Sequence, residues 1–255
     1  MQIALPKQGL EGYKSNSQRA RVATELWAHR NLYCANCDCG KLHRAAANMP
    51  AVDLDCPSCG ACFQLKAQSR PFSRRIVDAA YSAMVRAIRE NRTPNLFALE
   101  YALSDWAVVN LILIPSFAFP LSAVEKRKPL AAHARRAGWV GCNILLDAIP
   151  ADARIAIVRA GNFISPNVVR EQYLRVLPFE KLTPEKRGWT LDVLNVLRKL
   201  GKIEFALGDV YAAEQGLARL HPANRHVRPK IRQQLQVLRD LGFVQFLGGG
   251  EYRLL

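Results

Sequence analysis

Acidic residues are scarce in this chain: 21 Asp and Glu face 36 Lys and Arg, which leaves a formal net charge of +15. That excess, with a sequence pI near 9.9, calls for an anionic partner, and nucleic acid is the first candidate. Long apolar runs are missing too, so no membrane span is expected. Residues 1–10 lack the apolar core of a signal peptide, and a cytoplasmic location is expected. Cysteine is nearly absent outside one stretch, because six of the seven lie between Cys34 and Cys62. In a reducing compartment such crowding favours metal ligation over disulfides. The remaining composition is that of a folded protein: half of the residues are apolar and 22% are charged, which excludes a disordered chain. A length of 255 residues suits two modest domains.

The stretch from Pro50 to Lys66 organises the rest. Cys34 with Cys37 and Cys56 with Cys59 form two Cys-x-x-Cys pairs, each able to wrap half of a tetrahedral zinc ion at ~2.3 Å. Four thiolates leave no position for water, so this zinc is expected to be structural. Cys39 and Cys62 are spare thiols that can replace an assigned ligand. Residues 52–55 and 63–66 read as short strands flanking the second pair, a hairpin folded about Ser58. Such a fold sets Asp53 opposite the Cys62 to Gln64 end, while strand alternation sends Gln64 and Lys66 to one face. Asp53, Gln64 and Lys66 can then converge. An acid holding a divalent cation, a second oxygen ligand and a lysine two residues on is a constellation for activating water beside a phosphate.

Residues 15–30 read as an amphipathic helix, capped at Asn16 or Ser17, with Val22, Leu26 and Trp27 at helical spacing. Its polar side carries Gln18, Arg21 and Glu25, and Glu25 is a candidate extra metal ligand. Phe72, Ile76, Ala80, Met84 and Ile88 recur at steps of four, which predicts one helix over 71–91. Strands are expected at 96–101 and 108–115, the second aliphatic enough for the centre of a sheet covered on both faces. Further strands at 140–146 and 154–158 complete the first domain, and 162–167 reads as turn. Between them, Arg135, Arg136 and Trp139 combine cations, glycines and one large aromatic; Trp139 can stack on a base or take a methyl group against its face.

Past residue 181 the pattern becomes helices at 189–200, 206–220 and 228–241, then strands at 243–247 and 251–254 around three glycines. Three helices followed by a hairpin is the order of a winged helix. The third helix opens with Arg228, Lys230, Arg232 and Gln233, side chains that reach guanine and adenine edges, and Pro229 suits a first helical turn.

Taken together, these features resemble the Dam-replacing, methyl-adenine-dependent restriction endonucleases of Type IIM. The resemblance spans nearly the whole chain. It rests on Tyr-Lys-Ser-Asn-Ser-Gln at 13–18, the paired Cys motifs, Phe-Gln-Leu-Lys at 63–66, Arg-Lys-Pro-Leu at 127–130, Ala-Arg-Arg-Ala-Gly-Trp-Val-Gly-Cys-Asn at 134–143, Arg-Gly-Trp-Thr at 187–190, and Lys-Ile-Arg-Gln-Gln-Leu-Gln-Val-Leu-Arg-Asp at 230–240. It implies an α/β PD-(D/E)xK nuclease core with an inserted zinc site over 1–181, then an α+β winged helix over 182–255. Both domains would recognise GATC methylated on adenine, in double-stranded DNA. Asp53 and Lys66 would be catalytic, Trp139 and the winged helix would contribute to methyl recognition, and a monomer is expected.

One position departs from the family: its middle catalytic glutamate is Gln64 here. An amide oxygen ligates a hard cation without supplying charge, so Mg2+ affinity should fall; Glu25 or the Leu65 carbonyl can compensate in part. Two readings follow. One is a Mg2+-dependent endonuclease with Asp53, Gln64 and Leu65 at the cation; the other is a reader that binds methylated DNA without cutting.

Overall fold

The computed structural model describes residues 2–46, 49, 51–72 and 74–255; Pro50, where the organising stretch begins, lies outside them. The chain opens with α1 (Asn16–Asn31), β1 (His43–Arg44), β2 (Leu54–Asp55), β3 (Cys62–Gln68), β4 (Arg75–Ala80) and α2 (Tyr81–Arg89). Next come β5 (Asn95–Ala102), β6 (Ala107–Ile114), β7 (Val124–Lys126), β8 (Gly141–Leu145), β9 (Ile155–Arg159), β10 (Asn162–Phe163) and α3 (Pro166–Val176). The last third contains α4 (Pro184–Leu200), β11 (Glu204–Ala206), α5 (Leu207–Tyr211), α6 (Glu214–Leu220), α7 (Val227–Asp240), β12 (Val244–Gly248) and β13 (Glu251–Leu254). The architecture is mixed α/β, and among the described residues no helix is long and apolar enough to cross a membrane.

Two compact units share the chain. The first comprises residues 1–76, 92–116 and 152–176. Its sheet has seven strands in the order β1-β2-β3-β5-β6-β9-β10, with β3 and β5 parallel and the others antiparallel. From Asn95 to Tyr101 every residue of β5 is buried, as befits a strand covered on both faces. Phe63 and Phe97 stack there with ring centroids 4.9 Å apart. Asn95 ties the layers: its amide donates to the Cys62 carbonyl, and its oxygen accepts from the Tyr173 hydroxyl on α3.

The buried stripe of α1 is Ala20, Ala23, Thr24, Trp27 and Ala28, small residues around one indole, whereas Val22 and Leu26 are only half-buried. The Trp27 indole N–H donates to the Gln2 carbonyl at 2.6 Å, and the Thr24 hydroxyl donates back to Ala20 at 2.9 Å. Ser15 holds the cap position ahead of Asn16, without a side-chain cap bond; its hydroxyl pairs with Ser17 instead.

The second unit comprises 77–91, 117–151 and 177–255. It holds a sheet in the order β4-β8-β7 and a second in the order β11-β13-β12. Thr183 caps α4, Pro184 occupies its first turn, and Gly201 ends it at φ +66°. Apolar burial comes from Trp189, Leu194, Ile231, Leu235, Phe205 and Phe243. A buried bond from the Thr190 hydroxyl to the Gln234 amide oxygen, 2.7 Å, pins α4 to α7.

Several sequence expectations are corrected. Residues 71–91 are not one helix: Ile76 is an inward position of β4, and only Met84 and Ile88 form the buried face of α2. A step of four fits a strand as well as a helix, so the spacing alone is ambiguous. Residues 140–146 hold a strand, β8, but it joins the small sheet and not the large one that contains β9. The segment read as turn at 162–167 holds β10 and the start of α3. Helix 189–200 begins earlier, at Pro184, and 206–220 is two short helices preceded by β11, which pairs with β13 and makes the hairpin a three-stranded wing sheet.

Candidate functional site

The sulfurs of Cys34, Cys37, Cys56 and Cys59 lie within 4.8 Å of one another. Cys34 and Cys59 are 3.7 Å apart, and Cys37 and Cys56 3.5 Å. Edges of a tetrahedron with zinc–sulfur bonds of ~2.3 Å measure about 3.8 Å, so the donor set and its spacing fit zinc. Cys39 and Cys62 stand outside the cluster, their thiols directed to the carbonyls of Lys41 and Gly60. The second knuckle closes through Cys56 N–H to Ala61 and Gly60 N–H to Cys56, with Gly60 at φ +72°, a left-handed turn suited to glycine. Burial raises the Cys34 thiol well above its ordinary value. At Cys59 burial also raises, but the Ala61 amide and the neighbouring cysteines outweigh it and lower the thiol.

Arg170, on α3, braces the first knuckle. Its Nε donates to the carbonyls of Cys34 at 3.3 Å and Cys37 at 3.1 Å, and its guanidinium lies 5.3 Å from the centre of the Tyr33 ring. No local motif announces this residue, because it is 133 positions from Cys37.

The β2–β3 hairpin pairs Leu54 with Phe63 and Asp55 with Cys62, and Asp53 lies just beyond the paired residues. Asp53 donates its amide to the Phe63 carbonyl at 2.9 Å, and its Oδ2 accepts from the Leu65 amide at 2.7 Å. That bond fixes one carboxylate oxygen and leaves the other for a ligand. Asp53 lines a cleft of about 360 Å³ together with Glu25, Arg21, Arg44 and Leu65. Half-burial raises the Glu25 carboxyl; Arg21, paired with it at 3.4 Å, opposes this, and the Asp53 charge adds to it. Two carboxylates whose charges repel across a cleft are a candidate cation site. Gln64 is buried, at 9% exposure, and Lys66 half-buried; neither is among the residues that line this cleft. Glu25 and Arg44 do line it.

In the second unit, Trp139 is half-buried and its six-membered ring lies close to Gly141, where an added Cβ would come within 2.8 Å of the indole. Leu130 N–H donates to the Trp139 carbonyl and Gly138 N–H to Leu130, which holds the loop closed. Arg136 covers the indole at 5.2 Å from its centroid, and Arg135 and Arg136 are exposed.

Helix α7 buries Val227, Ile231, Gln234, Leu235 and Leu238 and exposes Arg228, Arg232 and Gln233. Lys230 is half-buried, its Nζ 6.0 Å from the Trp189 ring centre. Two residues with no motif of their own engage the arginines. Tyr211 accepts from Arg232 Nη1 at 2.7 Å and lies under the Arg228 guanidinium at 5.0 Å; Glu214 accepts from Arg228 Nε at 2.8 Å.

The Dam-replacing family matches residues 1–181, and the Dam-replacing helix-turn-helix domain matches 185–254. That family is one of methylation-dependent restriction endonucleases with a helix-turn-helix domain for DNA. The first match covers the large sheet, the cysteine cluster and the Asp53 cleft, the second α4 to β13. The chain belongs to the Dam-replacing family.

Proposed function

We propose that this chain is a Mg2+-dependent endonuclease that cleaves double-stranded DNA at GATC sites carrying N6-methyladenine. Residues 1–181 would form a PD-(D/E)xK nuclease domain with a structural zinc at Cys34, Cys37, Cys56 and Cys59, and residues 182–255 a winged-helix reader. The observation that carries the reading is the Asp53 carboxylate, held by the Leu65 amide and set beside Glu25 in one cleft. Asp53 and the Leu65 carbonyl would hold the divalent cation, with Gln64 as a third oxygen ligand that would have to turn toward a cleft it does not line, and Glu25 would supply the negative charge that Gln64 lacks. Once bound, such a cation polarises phosphate and lowers the pKa of water. Lys66 would place its positive charge where negative charge develops on the scissile phosphate, and Asp53 stays oriented by its backbone partner. Trp139, Arg135 and Arg136, within 1–181, would face the methylated base; Arg228, Lys230, Arg232 and Gln233, within 182–255, would read the duplex.

Gln64 favours a second reading, a protein that binds methylated sites and cuts slowly or not at all. Incubating methylated and unmethylated plasmid with Mg2+ separates the two. Cleavage of the methylated plasmid alone supports the endonuclease; methyl-selective binding with no cleavage supports the reader.

A further inference from the structure

The tip of α7 is already occupied by the protein itself. Arg228 donates to the Glu214 carboxylate at 2.8 Å and rests over Tyr211, which in turn accepts from Arg232 at 2.7 Å. Glu214 therefore offers Arg228 what a DNA phosphate would offer: an anionic oxygen pair at hydrogen-bonding distance. The pair is partly exposed, 59% at Arg228 and 36% at Glu214, so it can open, and opening it costs less than about five-fold in an equilibrium constant. A cost of that size is comparable to one loosely placed phosphate contact. It is small beside a complete specific interface.

We infer that Glu214 is a specificity-determining residue: it withholds Arg228 from phosphate in non-specific complexes and gives it up only when the rest of the interface is made. The inference rests on the reading of α7 as the DNA-contacting helix. Tyr211 keeps the released arginine in place, because its ring supports Arg228 whether or not Glu214 is bound, and its hydroxyl holds Arg232 beside it. Salt dependence separates this device from a plain loss of negative charge. Each cation newly placed on phosphate steepens the slope of log K against log salt by about 0.9, whereas a diffuse change in field acts on all duplexes alike.

The test uses the full chain with Ca2+ in place of Mg2+ and measures binding to a methylated GATC duplex and to an unmethylated duplex without the site. In the Glu214→Gln variant, affinity for the unmethylated duplex should rise about three-fold and its salt slope should steepen by about 0.9, with the methylated-site slope unchanged. Adding Arg228→Gln to that variant should cancel the extra slope. Equal changes in slope on both duplexes, or none on either, would overturn the inference while leaving DNA binding intact. A wild-type chain that binds neither duplex would overturn the functional reading along with it.

Discussion

Arg170 reaches across the fold of the first unit to donate its Nε to the Cys37 carbonyl at 3.1 Å, with the Cys34 carbonyl at 3.3 Å as second acceptor. A cation anchored on α3 thus fixes the backbone of the knuckle that presents two of the four thiolates. Outer partners of this kind typically carry a ten-fold or larger share of metal affinity.

The purified chain should accordingly contain about one zinc, held by four thiolates. Elemental analysis should show it in the wild type and not in the Cys56→Ser, Cys59→Ser double variant. Arg170→Ala should lose zinc to a competing chelator at about ten-fold lower chelator concentration. Zinc retained by the double variant would place the metal elsewhere.

Trp139→Ala should reduce discrimination between methylated and unmethylated duplexes by about ten-fold, the scale of one lost stacking contact, with a smaller effect on overall affinity. Gly141→Ala should mimic it, since the new Cβ would meet the indole at 2.8 Å and force the ring to move. Competition binding with the two duplexes measures both variants. Equal loss of affinity for the two would remove Trp139 from methyl sensing.

The cleft between Glu25 and Asp53 is tested by charge changes on its rim. Glu25→Gln should weaken Ca2+ binding, read by calorimetry, because one of its two carboxylates loses its charge. Gln64→Glu should strengthen it and lower the Mg2+ concentration needed for cleavage. If Glu25→Gln leaves Ca2+ affinity untouched, the cation does not sit between Glu25 and Asp53.

Much of this was legible in the sequence because it is local. The Cys-x-x-Cys pairs, the Asp53 hairpin and the helix α7 each announce themselves within a short span, and the structure brings all four cysteines together and ties Asp53 to Phe63 and Leu65. What stayed hidden depends on distance or on ambiguous period. Ile76 and Met84 share a spacing of eight that strand and helix both satisfy, so β4 was hidden inside an apparent helix. Arg170 acts on residues 133 and 136 positions away, Glu214 acts on the next helix, and no periodicity marks either. α3 was masked by turn-forming residues, Gly161 and Asn162 ahead of it and Pro166 at its first position.

The endonuclease reading is decided by cleavage of Dam-methylated against unmethylated plasmid in Mg2+, by the wild type and by Asp53→Ala. The wild type should cut only the methylated plasmid. Asp53→Ala should lose cutting by about 100-fold or more yet bind the methylated duplex nearly as before, since a negative charge has left a DNA-facing cleft. Undiminished cutting by Asp53→Ala, or equal cutting of both plasmids by the wild type, would contradict it.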